Sequence, residues 1–312
     1  MRHFFIHLLS TSNTYLVVIA GPTAVGKTKL AIELAKHYKS VILSADSRQF
    51  YKEMSIGTAK PSEEELSAVK HYFINNKSVS ELFGAGHFEK EAIALLEQLF
   101  KEHQILFVVG GSGLYINALL HGVDEFEEVP IEVREQLNSE LEQNGLNALQ
   151  KELSERDPIY YSKVDINNAQ RVIRALEVCR YTGKPYSSFL KRDQIQRSFT
   201  TINLLINTDR ELLYDRINKR VDQMIADGLV NEVRSLIPYR NANALKTVGY
   251  KEIFDHLDGK CTLEEAISKI KQHSRNYAKR QLTWFKNQDE FEEFKPEDLE
   301  KIKGYIDVIV QS

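Results

Sequence analysis

Apolar residues along the chain fall into two rhythms, one of short unbroken runs and one of helical spacing. Tyr15–Ala20 is a continuous apolar run ending at glycine, the pattern of a parallel strand buried on both faces. Lys27–Tyr38 follows with Leu30, Leu34 and Tyr38 at helical spacing. Val41–Ser44 and Ile105–Val109 are further short strands, the second again running into glycines, and Leu114–Leu120 is the helix after it. Thr201–Asn207 is another strand, followed by a long helix from Asp209. Strands alternating with helices predict an α/β fold with a parallel sheet flanked by helices. The stretch from about 125 to 195 offers no convincing strand and predicts a mostly helical insertion that includes a helix at Ala169–Tyr181. After 229 the chain reads as helical throughout: 229–237, 248–257, 262–287 and Pro296–Val310, where Leu299, Ile302, Ile306 and Ile309 recur at helical spacing. The expected organisation is a first core part over 1–124, an insertion domain over 125–197 and a core completion over 198–312, with no internal repeat.

Composition narrows the class. With 42% hydrophobic residues in a 312-residue chain there is ample material for a core, which excludes a wholly disordered protein. No uncharged apolar run approaches the length of a membrane-spanning helix. The two cysteines, Cys179 and Cys261, lie far apart and outside any C-x-x-C pair, which excludes a disulfide framework and argues against a four-ligand zinc site. Reduced thiols point to the cytoplasm. Met1–Ser10 has a basic start and a short apolar stretch interrupted by His7, and lacks a small-x-small cleavage site, so it reads as an extension and not a signal peptide. No exposed apolar helix seam is evident, so the expected state is a monomer with no obligate protein partner and no membrane attachment.

Net charge is −3, but its distribution is uneven. Residues 163–197 carry eight basic side chains against three acidic, and 240–286 carry ten against five. Residues 124–157 and 287–300 are strongly acidic. Basic segments within an acidic protein suit a polyanion held in one groove. Solvated helix faces are the alternative.

Gly21-Pro22-Thr23-Ala24-Val25-Gly26-Lys27-Thr28 matches G-x-x-x-x-G-K-[ST], with a buried strand before it and an amphipathic helix after. Gly21 and Gly26 permit the backbone angles that aim successive N–H groups inward. Those donors, the helix N-terminus and Lys27 hold a di- or triphosphate, and Thr28 offers a hydroxyl to Mg²⁺. The motif is shared with ATP-binding proteins, yet it specifies only a diphosphate-bearing ligand. Nucleotide hydrolases of this architecture also carry a strand-terminal carboxylate for the metal. Here the strand ending at Val109 leads into Gly110-Gly111-Ser112-Gly113 with no acid. The strand-terminal acid near the loop is Asp46, where ligands of open parallel sheets bind. This favours a transferase over a nucleotide-driven motor.

Further blocks follow in order: Ser44-Ala45-Asp46-Ser47-Arg48-Gln49-Phe50-Tyr51, Ile56-Gly57-Thr58-Ala59-Lys60-Pro61, and Gly110-Gly111-Ser112-Gly113-Leu114-Tyr115. Then come Gln170-Arg171-Val172-Ile173-Arg174-Ala175-Leu176-Glu177-Val178, Val248-Gly249-Tyr250, and Ala278-Lys279-Arg280-Gln281-Leu282-Thr283-Trp284-Phe285. Together with the phosphate loop, over residues 15 to 288, the set closely resembles the bacterial-type tRNA dimethylallyltransferase family, also called tRNA isopentenyltransferases. Departures are small. Ser112 stands where many members have threonine, and Lys251 where some have arginine. Asn75 of His71-Tyr72-Phe73-Ile74-Asn75 replaces an acid, and the C-terminal zinc finger of many eukaryotic members is absent.

The resemblance implies a P-loop NTPase-like core and transfer of a dimethylallyl group from its diphosphate to the exocyclic amine of the adenosine immediately 3′ of the tRNA anticodon. It implies dimethylallyl diphosphate and the tRNA anticodon arm as ligands. On this reading Gly21 to Thr28 (with Pro22, Thr23, Ala24, Val25, Gly26 and Lys27) cradle the diphosphate, with Mg²⁺ on Thr28, and Arg220 adds a second clamp. Asp46 is the general base for the amine; a Mg²⁺ ligand and a helix cap are its alternatives. Thr23 can touch a phosphate or the amine, or simply brace its loop. The adenine must leave its stack to react, and Asp46, Ser47, Arg48, Gln49 and Ser112 are placed to read it. Arg134, Gln170, Arg171, Arg174, Lys246, Lys251, Arg275, Lys279 and Arg280 are candidates for the tRNA backbone, each with a solvent-exposed role as its alternative. Trp284 is a candidate to stack on a base, with helix core as the more common role of such a pattern. Competing activities are prenylation of free adenine nucleotides, small-molecule phosphorylation by a P-loop kinase, and non-catalytic RNA binding. The extended basic segments, the missing acid and the complete phosphate loop count against them in turn.

Overall fold

The computed structural model describes residues 13–124, 129–190, 195–288 and 290–312. The extension expected at Met1–Ser10 lies outside them. In chain order the elements are β1 (Tyr15–Ala20), α1 (Lys27–His37), β2 (Ile42–Ser44), α2 (Glu63–Ala68), β3 (His71–Tyr72), α3 (Ala85–Leu99), β4 (Ile105–Gly110) and α4 (Gly113–His121). There follow α5 (Ile131–Asn144), α6 (Leu146–Arg156), α7 (Pro158–Tyr161), α8 (Ala169–Thr182), β5 (Thr200–Ile206), α9 (Arg210–Ala226), α10 (Leu229–Ser235), α11 (Tyr250–Leu257), α12 (Leu263–Lys286), β6 (Glu292–Phe294) and α13 (Leu299–Gln311).

The strands form one sheet in the order β3-β2-β4-β1-β5-β6, with every neighbouring pair parallel. The expected α/β architecture, a parallel sheet with helices on its faces, is present. Its central strand explains its own apolar run. Successive side chains of a strand point to opposite faces. Leu16, Val18 and Ala20 therefore enter one core with Phe88, Leu96, Ile116 and Phe285, from α3, α4 and α12. Val17 and Ile19 enter the other, with Leu34 of α1, Ile217 of α9 and Ile302 and Ile306 of α13. A third core packs Tyr51 and Met54 against α9 to α12.

The chain divides into two compact units, Met1–His121 with Gln196–Ser312, and Gly122–Ile195. The second is all helix among its described residues. Val172, Ile173 and Leu176 of α8 pack on Leu137 of α5 and on Leu149 and Leu153 of α6.

The helical reading after residue 229 needs correction. Glu292–Phe294 is a parallel edge strand paired with Leu204–Ile206. Its two glutamates disguised it, although charged edge positions are a usual protection of sheet edges. The last helix begins at Leu299 rather than Pro296, and the helix expected over 229–237 stops at Ser235. Among the described residues three further elements lie outside the expected set: β3, too short to show a period, and the helices α2 and α3.

Candidate active site

The phosphate loop runs from the end of β1 to the first turn of α1. Gly21 has φ of 150° and Gly26 of 107°. A Cβ at Gly21 would lie 2.3 Å from the Ile206 carbonyl oxygen, so the end of β5 leaves no room for any other residue. The Lys27 ammonium curls over its own loop and donates to the carbonyls of Gly21 (2.9 Å) and Pro22 (2.7 Å). Burial pulls this ammonium down to about 7; nearby Asp46 opposes the shift and Arg220 adds to it. The Thr23 N–H donates to Gln281 Oε1 (2.9 Å), and Gln281 Nε2 donates to the Gly111 carbonyl (2.8 Å). One buried side chain of α12 thus ties the phosphate loop to the glycine turn after β4.

Asp46 lies just beyond β2. Its Oδ1 accepts the Arg48 N–H (2.9 Å), which closes a turn over Asp46–Gln49 and gives no helix cap. Phe50, fully buried, pins this polar turn into an aromatic cluster with Phe83 and Phe88, at centroid distances of 5.0 and 5.6 Å. The other side is held by Ser112, whose hydroxyl accepts the Ser47 N–H (3.0 Å) and donates to Ser47 Oγ (3.2 Å). Ser112 is itself buried.

From α9, Arg220 donates through Nη1 to Thr23 Oγ1 (3.1 Å) and through Nη2 to the Ala59 carbonyl (3.3 Å). Burial lowers its guanidinium, though Asp46 works against this. One turn earlier Arg216 reaches the Val25 carbonyl (3.2 Å). Thr23, Asp46 and Arg220 all line one cavity of about 270 Å³. Ile217, Val221, Met224, Val248 and Ile270 make its apolar wall, and Ser47, Arg48, Thr58, Ser274 and Tyr277 are polar members. Burial and the facing Asp46 push the Tyr277 hydroxyl up to about 12.

Other candidates are dispersed. Gln49 turns away from this cavity: its Oε1 accepts Ser44 Oγ–H (3.0 Å), and its Nε2 donates to the carbonyls of Thr58 and Ala59 (3.4 and 3.3 Å). Arg275 donates to Asn218 Oδ1 (2.7 Å), and Arg280 stacks over the Tyr277 ring at 5.8 Å. Lys246, Lys251, Lys279 and Arg280 are exposed. Trp284, partly buried, packs beside Phe285, with ring centroids 4.8 Å apart, and over Gly113, against the core. In the helical unit, Arg134 and Arg174 both contact the buried Glu177 carboxylate, at 3.4 and 3.3 Å. Gln170 accepts from Arg134 (3.2 Å), and Arg171 is exposed.

Thr28 and Asp46 are hard oxygen donors, the chemistry that suits Mg²⁺. Among the described residues no group of three His, Cys, Asp or Glu side chains could hold a metal by itself. An ion at Thr28 would therefore complete its shell with phosphate oxygens and water, and in donor chemistry the residues fit.

Sequence reasoning missed the apolar cavity wall, Arg216 as a loop contact, and the roles of Tyr277 and Gln281. Val248 and Gln281 do lie in the quoted blocks, but a motif gives no direction to a side chain. Tyr277 and Ile270 are seven residues apart on α12, the only local signal that they share a face.

Comparisons with known proteins agree over most of the length. The family model described as IPP transferase matches residues 49–288. The tRNA dimethylallyltransferase of Christiangramia forsetii is 51% identical, over 95% of this chain and 98% of that protein. Bacteroides thetaiotaomicron tRNA dimethylallyltransferase 1 is 46% identical, over 93% and 94%. Among solved structures, the full-length tRNA isopentenylpyrophosphate transferase of Bacillus halodurans has a TM-score of 0.71 at 38% identity, covering 95% of this chain and 97% of that one. A eukaryotic dimethylallyltransferase crystallised acting on tRNA has a TM-score of 0.74 at 28% identity, covering 92% and 75%. With its parallel sheet, its phosphate loop and relatives of this kind along nearly its whole length, the chain belongs to the IPP transferase family.

Proposed function

We infer that this protein transfers a dimethylallyl group from dimethylallyl diphosphate to the exocyclic amine of the adenosine immediately 3′ of the anticodon in tRNA. One observation carries the reading. A single cavity joins a phosphate-loop residue, an arginine and a strand-end carboxylate to an apolar wall. A diphosphate, a short isoprenoid and a nucleobase amine each find matching chemistry there.

The diphosphate takes the loop N–H groups and Lys27, whose ammonium leaves its own carbonyls for the anion. Arg220 and Thr23 meet the charge that grows on the leaving oxygen, and preorganised donors of this kind supply much of the acceleration in many enzymes. Ile217, Met224 and Ile270 receive the five-carbon group and keep water from the allylic carbon. The amine forms its bond to that carbon as the carbon–oxygen bond breaks. The electron pair departs with diphosphate, and the proton passes to Asp46. A Mg²⁺ on Thr28 supplies further charge neutralisation when bound. Ser47 and Arg48 contact the extruded adenine, and the exposed cations of α8 and α12 hold backbone phosphates. A cytoplasmic location follows from this substrate.

Incubation with dimethylallyl diphosphate and either unmodified tRNA or AMP tests the reading. Transfer to tRNA alone supports it. Transfer to AMP, or consumption of ATP without prenyl transfer, refutes it.

A further inference from the structure

Gly57 and Thr58 of the Ser55–Thr58 turn line the cavity, and the carboxylate that shapes this turn lies on α10. Glu232 projects from α10 into three consecutive amides. Its Oε2 accepts the N–H groups of Ser55 (2.9 Å) and Ile56 (2.7 Å), and its Oε1 accepts that of Gly57 (3.0 Å). The Tyr250 hydroxyl donates to Oε1 as well (2.7 Å). Converging amides of this kind make an anion nest; here the anion is a side chain 175 residues further along than Gly57. Tyr250 is fully buried, and its ring comes within 2.5 Å of where a Cβ on Gly57 would be. Burial and Glu232 push the Tyr250 hydroxyl far above its ordinary range, so it remains a donor.

From this nest the chain runs directly into the site. Gly57 and Thr58 line the cavity. The next residue, Ala59, offers its carbonyl to Arg220 Nη2 and to Gln49 Nε2, both at 3.3 Å. Arg220 uses its other nitrogen on Thr23. A guanidinium is a rigid plane, so fixing one edge aims the other.

We propose that Glu232, outside the cavity, is a positioning residue for Arg220: by holding Ser55–Gly57 against Tyr250 it sets the Ala59 carbonyl, which aims the guanidinium at the Thr23 side of the phosphate loop. The role rests on the reading of that loop as a diphosphate site.

Titration calorimetry of the full chain with inorganic pyrophosphate tests it, on Glu232→Gln, Arg220→Ala and the double variant. Glu232→Gln keeps shape but turns an NH₂ toward an amide or the phenol, and is expected to weaken pyrophosphate binding about 10-fold. The double variant is expected to bind no more weakly than Arg220→Ala alone, because both changes remove one interaction. Tyr250→Phe leaves the three amide bonds and is expected to cost about 2-fold; it runs the same cycle should Glu232→Gln fail to fold. Unchanged pyrophosphate affinity in folded variants, with only a lowered unfolding temperature, overturns the proposal. So does a loss that adds in full to that of Arg220→Ala. Prenyl transfer to tRNA is assayed alongside. A wild-type protein that binds pyrophosphate with the expected coupling but transfers no prenyl group refutes the functional reading and leaves this one standing.

Discussion

An ammonium held at about 7 changes how an anion is bound. Above that pH free Lys27 is mostly neutral, because its site is dry and Arg220 is near. A diphosphate favours the charged form and raises the value again, so binding draws in a proton. At pH 8 Lys27 is expected to take up a proton when pyrophosphate binds, so net uptake should be larger for the wild type than for Lys27→Met, in which only the ligand's own ionisation remains. Calorimetry in buffers of different ionisation heat reads the difference, and equal values would refute it. Asp46 has a second residue-scale test. Its carboxylate lines the cavity, while one oxygen closes the Arg48 turn. Asp46→Asn retains an acceptor for that turn and removes the base. Turnover is expected to drop about 10²–10⁴-fold, with tRNA affinity nearly kept in a filter-binding assay. Equal loss of both would make the residue structural. Both side chains were nameable from sequence, since the loop motif and the strand-end acid are local patterns. Tyr277 and Gln281 were not, because what places them is contact across the fold: Gln281 meets a residue 258 positions away.

Elements of the site are fastened to one another by close approach. Where β4 turns into α4, a Cβ on Gly113 would lie 2.5 Å from the Trp284 ring of α12. Gly113→Ala is therefore expected to destabilise by about 1–3 kcal/mol as the indole is displaced. Trp284 is the only tryptophan, so its emission should shift with the unfolding temperature. An unchanged spectrum and melting curve would show that the contact is loose. At this scale the central strands were legible, because a strand buried on both faces is apolar at every position. The edge strand β6 was not. Its Glu292 and Glu293 are set by exposure at the sheet margin, and the composition of a three-residue edge carries no period.

For the whole molecule, charge placement matters more than the net value of −3. The basic residues proposed to meet tRNA include exposed Lys279 and Arg280 in one unit and exposed Arg171 in the other. Binding that rests on phosphate contacts releases counterions, so tRNA affinity is expected to fall about 10³-fold between roughly 50 and 200 mM salt. Lys279→Ala should lessen the logarithmic salt slope by about one. A flat response in a gel-shift series would remove phosphate contacts from the account. The basic segments were visible in sequence, yet their division of labour was not. Arg134 and Arg174 share the buried Glu177, Arg275 is engaged by Asn218, and Lys246 is exposed to solvent. By itself the sequence determined the strand–helix alternation, the glycine–lysine loop and the acid beyond β2, because each is written in neighbouring residues and their spacing. Only the tertiary structure decided which apolar side chains wall the cavity, that Arg216 and Arg220 reach the loop, and that Glu232 grips the turn at Ser55. Those depend on side-chain direction and on distances between helices, which no local pattern encodes.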